Sequence, residues 1–321
     1  MPAVKAARPT DIFTRTQWQA LTRVSRWRGL WLVAHAWIVI VAACGLAAWS
    51  GNPLAWLLAI VIVGGRQLGL AILMHDAAHG LIHPDRRVNN AVGQWLAGVP
   101  VGTDLHAYRT YHLTHHRYTQ QEEDPDLSLS APFPTSRASL ARKALRDLTG
   151  LTFLKQRGGQ LMMALRGIGP AAKQQNVFIG KVFVRFLAAN AVLLALSLAS
   201  GLGIAPFAIW LIALATVFQL VLRIRNIAEH ACTTTGGDDP FSHARTTHAG
   251  WIARATVAPY WVNYHAEHHL FMGVPCYRLP AAHAALVAGG HDARMTIAPG
   301  YGAVLRQVSA GRTVAAQAPA R

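Results

Sequence analysis

The sequence predicts an all-α integral membrane protein with four transmembrane helices arranged as two hairpins, and three observations lead to this prediction. Only 14% of the 321 residues are charged, well below the roughly 25% of a soluble domain. The mean hydropathy is +0.25. Four apolar stretches have about the 20 residues that an α-helix needs to cross a bilayer, and they lie at residues 31–49, 54–74, 183–200 and 204–222.

The distribution of positive charge predicts how these spans are oriented. The short linkers within each pair, residues 50–53 and 201–203, contain neither Lys nor Arg, whereas the N-terminal segment and the long segment between the pairs are basic. The positive-inside rule then places both termini and the long segment in the cytosol, and we expect a multi-pass protein of a bacterial inner membrane. The first span lacks a convincing cleavage site, so we interpret it as an anchor rather than a signal peptide.

The remaining segments are predicted to lie at the membrane surface. Residues 1–30 form a cytosolic interfacial segment, and within the basic stretches 14–28 and 139–154 apolar residues recur at helical spacing. Such helices lie in the headgroup plane or pack on the protein. Residues 91–102 are apolar but short and contain Gly and Pro, which favours a re-entrant or interfacial piece. Residues 31–307 then form one membrane domain, followed by a flexible tail at 308–321.

The basic composition excludes some classes of partner and leaves others open. The 30 Lys and Arg against 14 Asp and Glu give a net charge of +16. On a membrane protein this charge serves orientation, attraction to anionic lipid or docking of an acidic protein, so we expect no nucleic-acid partner. The three cysteines form no CxxC pair, which rules out a fused zinc ribbon or rubredoxin-type iron site and indicates no disulfide framework.

Nine of the 16 histidines fall into four clusters. HDAAH begins at residue 75, HLTHH at residue 112 and HAEHH at residue 265, and Asn226 stands four residues before a histidine just past the fourth span. Residues three or four apart share a helical face, so each cluster can aim its imidazoles at one metal or at two close together. All four clusters lie on the predicted cytosolic side, in a helical cap that holds a histidine-rich di-metal site. The nine are His75, His79, His112, His115, His116, His230, His265, His268 and His269.

The make-up of these clusters narrows the choice of metal without fixing it. Nine histidines are too many for one structural zinc, which closes with four ligands that usually include Cys, and imidazole suits Zn, Fe, Cu and Ni alike. An open two-metal site rich in nitrogen favours iron that binds O2. Half of the 14 acidic residues flank the clusters and are candidates for orienting the imidazoles. They are Asp76, Asp104, Glu123, Asp124, Asp126, Glu229 and Glu267.

With these motifs, the chain from about residue 54 to 286 resembles the membrane fatty acid desaturase and hydroxylase superfamily. That superfamily is marked by three histidine boxes, H-x(3,4)-H, H-x(2,3)-H-H and (H/Q)-x-x-H-H, which here read HDAAH, HLTHH and HAEHH. The context is similar too, in HLTHHRYTQ followed by EEDPD and in NYHAEHHLFMGVPCYRLPAAH, although desaturases commonly have Pro where Met272 stands. Family members also place Asn and His four apart after the last span, like Asn226 and His230.

The resemblance implies cofactors, a reaction and partners. It implies two Fe ions held by the nine histidines, with Asn226 holding one iron through water or only supporting a ligand. It implies that O2 and two electrons yield an oxidant that removes hydrogen from an unactivated C–H bond of a lipid or fatty-acyl substrate. The electrons come from an external donor such as ferredoxin, rubredoxin or cytochrome b5. Loss of a second hydrogen gives a double bond, whereas return of oxygen gives an alcohol.

Several alternatives stay open. A hydroxylase or ketolase of the same superfamily acts on a carotenoid, an alkane or a sphingolipid. A divalent-metal transporter places its ligands near the bilayer midplane, and a membrane zinc hydrolase needs only three protein ligands, so neither accounts well for nine histidines beyond the span ends. Arg66 and Gln67 lead toward the site or bind a polar headgroup, unless Arg66 snorkels to the cytosolic interface. Trp261, Asn263 and Tyr264 line the substrate pocket or pack its wall.

Overall fold

The computed structural model describes residues 3–169 and 173–311, which are predominantly helical, as predicted. The α-helices are α1 (Arg15–Thr22), α2 (Arg28–Ser50), α3 (Pro53–Ala78), α4 (Arg86–Ala91), α5 (Leu105–Tyr118), α6 (Leu127–Ser130), α7 (Arg137–Leu148), α8 (Leu151–Arg166), α9 (Gln174–Ser197), α10 (Ala205–Ala215), α11 (Val217–His230), α12 (Trp251–Ala255), α13 (His265–Leu270), α14 (Leu279–Ala288) and α15 (Tyr301–Val308). Two short strands, β1 (Arg245–Thr247) and β2 (Thr296–Ala298), form a parallel pair that the sequence did not predict.

Among the described residues, four helices are long and apolar enough to cross a membrane. They are α2, α3, the helix Gln174–Leu202 that begins with α9, and the helix Ala205–His230 that α10 and α11 form together. The second continues to Ala78 and the fourth to His230, beyond the apolar stretches seen in the sequence, because a helix can add polar turns where its apolar segment ends. His75 and His230 therefore lie inside long helices, where the sequence predicted positions just after the spans.

The central helix of the domain is α3. In α3, 67% of the most apolar 18-residue stretch is buried inside the protein, against 17% of the corresponding stretch in the helix Gln174–Leu202. The helices α2, α5, α10 and α11 all pack on α3. Glycines allow this close approach: a Cβ added to Gly64 would lie 2.6 Å from Cγ1 of Val217, and a Cβ added to Gly65 would lie 2.4 Å from the carbonyl oxygen of Ala255. The helix that ends next to the first histidine box is therefore held from several sides.

We expect Gly65→Ala to lower the thermal unfolding midpoint of the purified protein. The new methyl group would collide with the backbone of Ala255 and Thr256, and overpacking of this kind costs typically about 1–3 kcal/mol. Gly45→Ala in α2 is the matched control, because a Cβ there meets no atom of the described residues within 4 Å. Equal midpoints for the two variants would contradict the close packing of α3 on the segment after α12.

One segment differs from its sequence prediction, and a second takes a conformation that the sequence prediction did not specify. Residues 139–154 do not form one helix, because α7 ends at Leu148 and α8 begins at Leu151 with Gly150 at a φ of 77° between them. The buried carboxylate of Asp147 fixes this corner by accepting hydrogen bonds from Thr152 (2.6 Å) and from Arg223 of α11 (2.9 Å). Residues 91–102 form a π-helical turn, Val92–Gly98, and a 3-10 turn, Val99–Val101, that pack against α3.

Both ends of the described chain contact the domain. The aromatic rings of Phe13 and Trp18, before and within α1, lie 5.0 and 5.5 Å from the ring of Phe271, so α1 packs on protein beside the third histidine box. At the other end, α15 finishes at Val308, whose side chain is buried. Of the tail predicted at 308–321, residues 312–321 lie outside the described residues.

The polar pair in α3 binds backbone rather than solvent. Arg66 is only 8% exposed and donates from Nη2 to the carbonyls of Arg254 (3.0 Å) and Ala255 (2.9 Å), so the prediction that it snorkels to the interface is wrong. Gln67 is buried and donates to the carbonyl of Trp210 at 2.9 Å. These partners come from distant parts of the chain, which is why the sequence alone did not indicate them.

Candidate metal centre

Four segments bring the predicted histidines together at the end of α3. The first box lies in the last turn of α3 and directly after it, the second box lies on α5, the single histidine ends α11, and the third box lies on α13. Asp104 fixes the start of α5, because its Oδ1 accepts hydrogen bonds from the N–H groups of His106 (3.1 Å) and Ala107 (3.0 Å). All nine histidines of the sequence prediction meet in this region.

The nine histidines form two adjoining groups, and within each group the candidate ligand atoms lie within 4.8 Å of one another. The five-histidine group contains His75, His79, His112, His116 and His268, and the four-histidine group contains His115, His230, His265 and His269. The groups touch, because the rings of His116 and His269 are stacked with their centroids 4.2 Å apart. Two metal ions in these positions would therefore be neighbours.

Two of the histidine boxes are divided between the groups. On α5, His112 and His116 belong to the five-histidine group and His115 belongs to the other. On α13 the assignment is reversed: His268 joins the five-histidine group, and the two histidines four residues apart join the four-histidine group. Residues four apart share a helical face and intervening residues are offset from it, so one helix can present ligands to both positions.

The ring nitrogens converge on one another. In the five-histidine group, Nε2 of His116 lies 2.9 Å from Nε2 of His112 and 3.0 Å from Nε2 of His268. In the four-histidine group, Nε2 of His230 lies 2.9 Å from Nε2 of His265. Several lone pairs directed at one point repel unless a proton or a cation lies between them, and this arrangement fits a metal ion in each group.

The first histidine box adds a second observation of the same kind. Both ring nitrogens of His75, and Nε2 of His79, are buried without a hydrogen-bond partner among the described residues. Asp76 lies 3.6 Å from Nδ1 of His75, which is too far for a hydrogen bond. Buried polar atoms are almost always paired in native proteins, so one nitrogen of each of these two rings fits the role of a metal ligand.

Burial lowers the pKa of six of the imidazoles outside the long helices and so favours the neutral form, which is the form that binds metal. Burial, and after it the charge of Arg109, lowers the pKa of His79 to about 4. Burial, and after it the neighbouring imidazoles, holds the pKa of His112 and of His116 well below the usual range. The same holds for the three histidines of α13, where burial is again the largest cause of the lowered pKa.

Two of the predicted carboxylates lie at the outer nitrogens of imidazoles, and one of them is hydrogen-bonded there. Oδ1 of Asp124 lies 2.7 Å from Nδ1 of His115, and both side chains are buried. Oε1 of Glu229 lies 3.4 Å from Nδ1 of His265 without a hydrogen bond and forms an ion pair with Arg225. A carboxylate at the outer nitrogen fixes the tautomer and the orientation of the ring and leaves Nε2 free to bind metal.

Three other predicted carboxylates do not orient the nine histidines in this way. Asp104 caps α5 and pairs with Arg185 at 2.8 Å. Asp126 accepts a hydrogen bond from the hydroxyl of Tyr111 and lies 3.7 Å from the nearest imidazole nitrogen. Glu123 is exposed. Only some of the carboxylates that flank the histidine boxes in the sequence therefore orient imidazoles.

Glu267, inside the third box, contacts neither histidine group directly. Its carboxylate accepts a hydrogen bond from Nδ1 of His283 at 2.5 Å and another from the hydroxyl of Thr246. The first of these bonds is the main reason why the pKa of His283 is raised. Because α13 has only six residues, these bonds to α14 and β1 hold it in place. His283 lies outside the four histidine clusters, and only its position at the end of the stretch 263–283 could have indicated a role.

We expect Glu267→Gln to reduce both bound metal and activity by about 10-fold, at the lower end of the range for residues that orient ligands. Gln cannot accept the same hydrogen bonds as a charged carboxylate, so α13 loses its fixed orientation. His283→Gln removes the same contact from the other side and should have a similar effect. Glu122→Gln, at an exposed position, is the control, and an unchanged metal affinity in Glu267→Gln would contradict this role.

A small, partly open cavity lies between residues of both histidine groups. Its volume is about 20 Å³, which leaves room for roughly one water-sized molecule. Asn226, the tenth predicted site residue, borders this cavity, and its Oδ1 accepts a hydrogen bond from Nη1 of Arg225 at 3.1 Å. Tyr108, which the sequence analysis did not single out, also borders the cavity and stacks on His112 with the ring centroids 5.1 Å apart.

The three residues predicted to line a pocket near the third box do not border this cavity. Asn263 is buried and donates to the carbonyl of Thr247 at 3.1 Å. The ring of Tyr264 packs against His283 at 5.2 Å. Trp261 lines a different cavity, between α2 and the segment that follows α12.

Three features together define a membrane protein of one family. They are the histidine boxes, the two groups that these boxes form and the four long apolar helices. The family model for fatty acid desaturases matches residues 51–300, and the chain belongs to this family. Membership of this family indicates that the protein is an oxidoreductase. The resemblance seen in the histidine motifs is thereby confirmed.

Curated relatives extend the comparison to individual enzymes. The chain is 26% identical to the dihydrorhizobitoxine desaturase of Bradyrhizobium elkanii, over 76% of this chain and 71% of the relative. It is 27% identical to a beta-carotene ketolase of Paracoccus sp., over 78% of this chain and 86% of the relative. It is 24% identical to an sn-1 oleoyl-lipid 12-desaturase of Picosynechococcus sp., over 81% of this chain and 76% of the relative.

Proposed function

We propose that the protein is an O2-dependent di-iron desaturase that inserts a double bond into a fatty-acyl or other lipid chain. The observation that supports this most strongly is the pair of adjoining histidine groups, whose candidate ligand atoms lie within 4.8 Å of one another in each group. Nitrogen ligands of this number, without cysteine, suit iron, and bound iron would supply the oxidising power that removes hydrogen from a C–H bond. All nine histidines act as ligands, and Asn226 holds one iron through water or supports a neighbouring ligand.

The residues around the groups prepare the site for this chemistry. Asp124 accepts a hydrogen bond from the protonated Nδ1 of His115, so that the lone pair on Nε2 faces the four-histidine group. The carbonyl of His243 does the same for His230, whose Nδ1 lies 3.1 Å away. Burial of the rings excludes bulk water, which protects a strong oxidant from side reactions. The cavity beside Tyr108 and Asn226 admits only a small reactant in this conformation.

The membrane arrangement is part of the same proposal. The four long helices cross the bilayer as two hairpins, with both termini and the histidine groups in the cytosol, because the linkers at 50–53 and 201–203 lack Lys and Arg. A reporter that is active only outside the cytosol, inserted at residues 50–53, should be active. A reporter inserted after residue 311 should be inactive, and the opposite pattern would contradict the orientation.

A ketolase or hydroxylase of the same family is the second candidate. The alignment with the beta-carotene ketolase covers 86% of that relative, and the histidine groups do not distinguish the outcomes, since the pose of the substrate decides whether a second hydrogen is lost or oxygen returns. Divalent-metal transport fits less well, because all nine histidines lie at or beyond the ends of the long helices.

One experiment separates these functions. Cells that express the chain are grown under ¹⁸O2, their lipids and carotenoids are profiled by mass spectrometry, and metal is measured in the purified protein. A desaturase gives a new alkene without ¹⁸O and two iron ions per chain. An alcohol or ketone that carries ¹⁸O supports the second candidate, and zinc as the only metal, with no altered lipid, would contradict both.

An open, basic cavity offers a docking site for the external electron donor. Its volume is about 560 Å³, and His79 of the five-histidine group borders it together with His83, Arg86 and Arg109. An electron carrier bound there would lie beside His79, one of the candidate ligands. An acidic carrier, such as a ferredoxin or a rubredoxin, complements this charge.

We expect Arg86→Glu to raise the apparent KM for an acidic ferredoxin about 10-fold at low ionic strength, because it places like charges opposite each other. The effect should fade as salt screens the charges. Arg142→Glu on α7 is the matched control, since Arg142 does not line this cavity. An equal KM for both variants would show that the carrier docks elsewhere.

A further inference from the structure

A third cavity, of about 310 Å³, opens between α2 and the segment that follows α12. Its lining includes Trp31, His35, Arg254, Tyr260 and Trp261, and it shares no residue with the cavity beside the histidine groups. The volume lies at the lower end of the roughly 300–1,000 Å³ typical of small-molecule sites. It therefore suits a polar headgroup rather than a whole lipid molecule.

Two arginines without an ion-pair partner among the described residues lie at this cavity, one in its lining and one behind it. Arg254 lines it, and the guanidinium carbon of Arg66 lies 5.3 Å from the ring centroid of Tyr260, on the cavity wall. None of the ion pairs within 4.0 Å among the described residues involves either arginine. Arg66 is buried, and the carbonyls of Arg254 and Ala255 accept its hydrogen bonds without neutralising its charge. An anion in the cavity would supply the missing charge.

The cavity wall is held in a strained conformation. Tyr260 and Trp261 are consecutive non-glycine residues with φ angles of 51° and 60°, in the left-handed region that such residues rarely adopt. The absence of a side chain on Gly69 makes room for the ring of Tyr260, and the Tyr260 hydroxyl shares a hydrogen bond of 3.0 Å with Nδ1 of His35. Strain of this kind persists where surrounding structure imposes it, and it is frequent at binding sites.

The surroundings of the cavity indicate an amphiphilic ligand. Trp31 is 60% exposed, and on α12 Trp251 is 81% exposed. Exposed tryptophans are typical of the membrane–water interface. His35 lies seven residues after the start of α2, which is about 10 Å along the helix at 1.5 Å per residue. The cavity therefore lies close to the headgroup level of a bilayer that α2 spans.

We propose that this cavity binds the phosphate headgroup of an anionic membrane lipid, with Arg254 and His35 contacting the phosphate oxygens and Arg66 supplying charge from behind Tyr260. Hydrogen bonds between a guanidinium and a phosphate are stronger than neutral ones, and the exposed tryptophans contact the acyl chains. The site is separate from the metal centre, and the inference does not depend on which reaction the metal centre performs.

The test uses the full-length, metal-loaded protein in dodecyl maltoside micelles, with dodecyl phosphate, laurate and inorganic phosphate as probes. The thermal unfolding midpoint is followed as each probe is added, because a ligand that binds the folded state raises it. Dodecyl phosphate should raise the midpoint of the wild type in a saturable way. Arg254→Gln should weaken its apparent affinity at least 10-fold. Arg254 is exposed, so this variant is expected to fold.

The control accounts for non-specific attraction to a basic protein. Arg142→Gln removes the same charge at an exposed position of α7 and should keep the wild-type affinity. Equal affinities for the wild type and Arg254→Gln would overturn the proposal, as would a midpoint that dodecyl phosphate leaves unchanged. Inorganic phosphate acting at the same concentrations would overturn the assignment to a lipid, and laurate binding as tightly as dodecyl phosphate would overturn the assignment to phosphate.

Discussion

His268→Ala should abolish turnover and lower the amount of bound iron while the protein still inserts into the membrane. The Nε2 atom of His268 lies 3.0 Å from that of His116, at the centre of the five-histidine group. The variant removes a ligand outright, so we expect activity to fall by more than the roughly 10–100-fold that follows the loss of an orienting group. His115→Ala should have the same effect through the four-histidine group.

Both variants can be separated from a general failure of folding. His106 lies on the same helix as His115, is exposed and belongs to neither group, so His106→Ala should retain wild-type activity and iron. Iron is measured by elemental analysis of protein purified from membranes, and insertion is measured by the yield of that protein. Near-normal turnover in His268→Ala or in His115→Ala would remove that residue from the ligand set.

Asp124→Asn should lower activity by about 10–100-fold, the range measured when a carboxylate that orients a metal-bound histidine is lost. The carboxylate lies 2.7 Å from Nδ1 of His115, and neither group has appreciable access to solvent. Asn has almost the same shape, but it is uncharged and can present an N–H to the ring as readily as an oxygen. His115 then loses the tautomer that directs its Nε2 lone pair to the four-histidine group.

The position of Asp124 in a turn calls for a second readout. Its other oxygen accepts the N–H of Gln120 at 2.8 Å, and its Oδ1 also accepts the N–H of Asp126 at 2.8 Å, so the variant will also cost some stability. Metal affinity and thermal midpoint are therefore measured together, with Glu122→Gln, at an exposed neighbouring position, as the control. If Asp124→Asn lowered the midpoint but kept full metal affinity, its role would be structural only.

The parts of this fold that were predicted from the sequence depend on local patterns. A span of about 20 apolar residues is recognisable without any tertiary contact, and the four long helices followed from it. The spacing within HLTHH and HAEHH is also local, so the candidate ligands were found by helix geometry. Helix geometry did not predict which histidine joins which group, because that depends on how α5 and α13 lie relative to each other.

The parts that were missed depend on residues far apart in the chain. The break between α7 and α8 is fixed by Arg223, which lies 76 residues after Asp147. The carbonyl groups that Arg66 binds lie 188 and 189 residues later in the chain. No sequence pattern around Arg66 indicates them. The role of His283 was missed as well, because its partner Glu267 lies inside a box in which the histidines were the obvious candidates.

The division of two boxes between the histidine groups has a consequence for how metal enters and leaves. Since α5 and α13 each contribute to both positions, an ion in one position would fix the rotation of both helices and present the remaining imidazoles ready-made to a second ion. Uptake would then be cooperative, with few chains holding a single ion. A chelator should accordingly strip both ions in one step rather than in two.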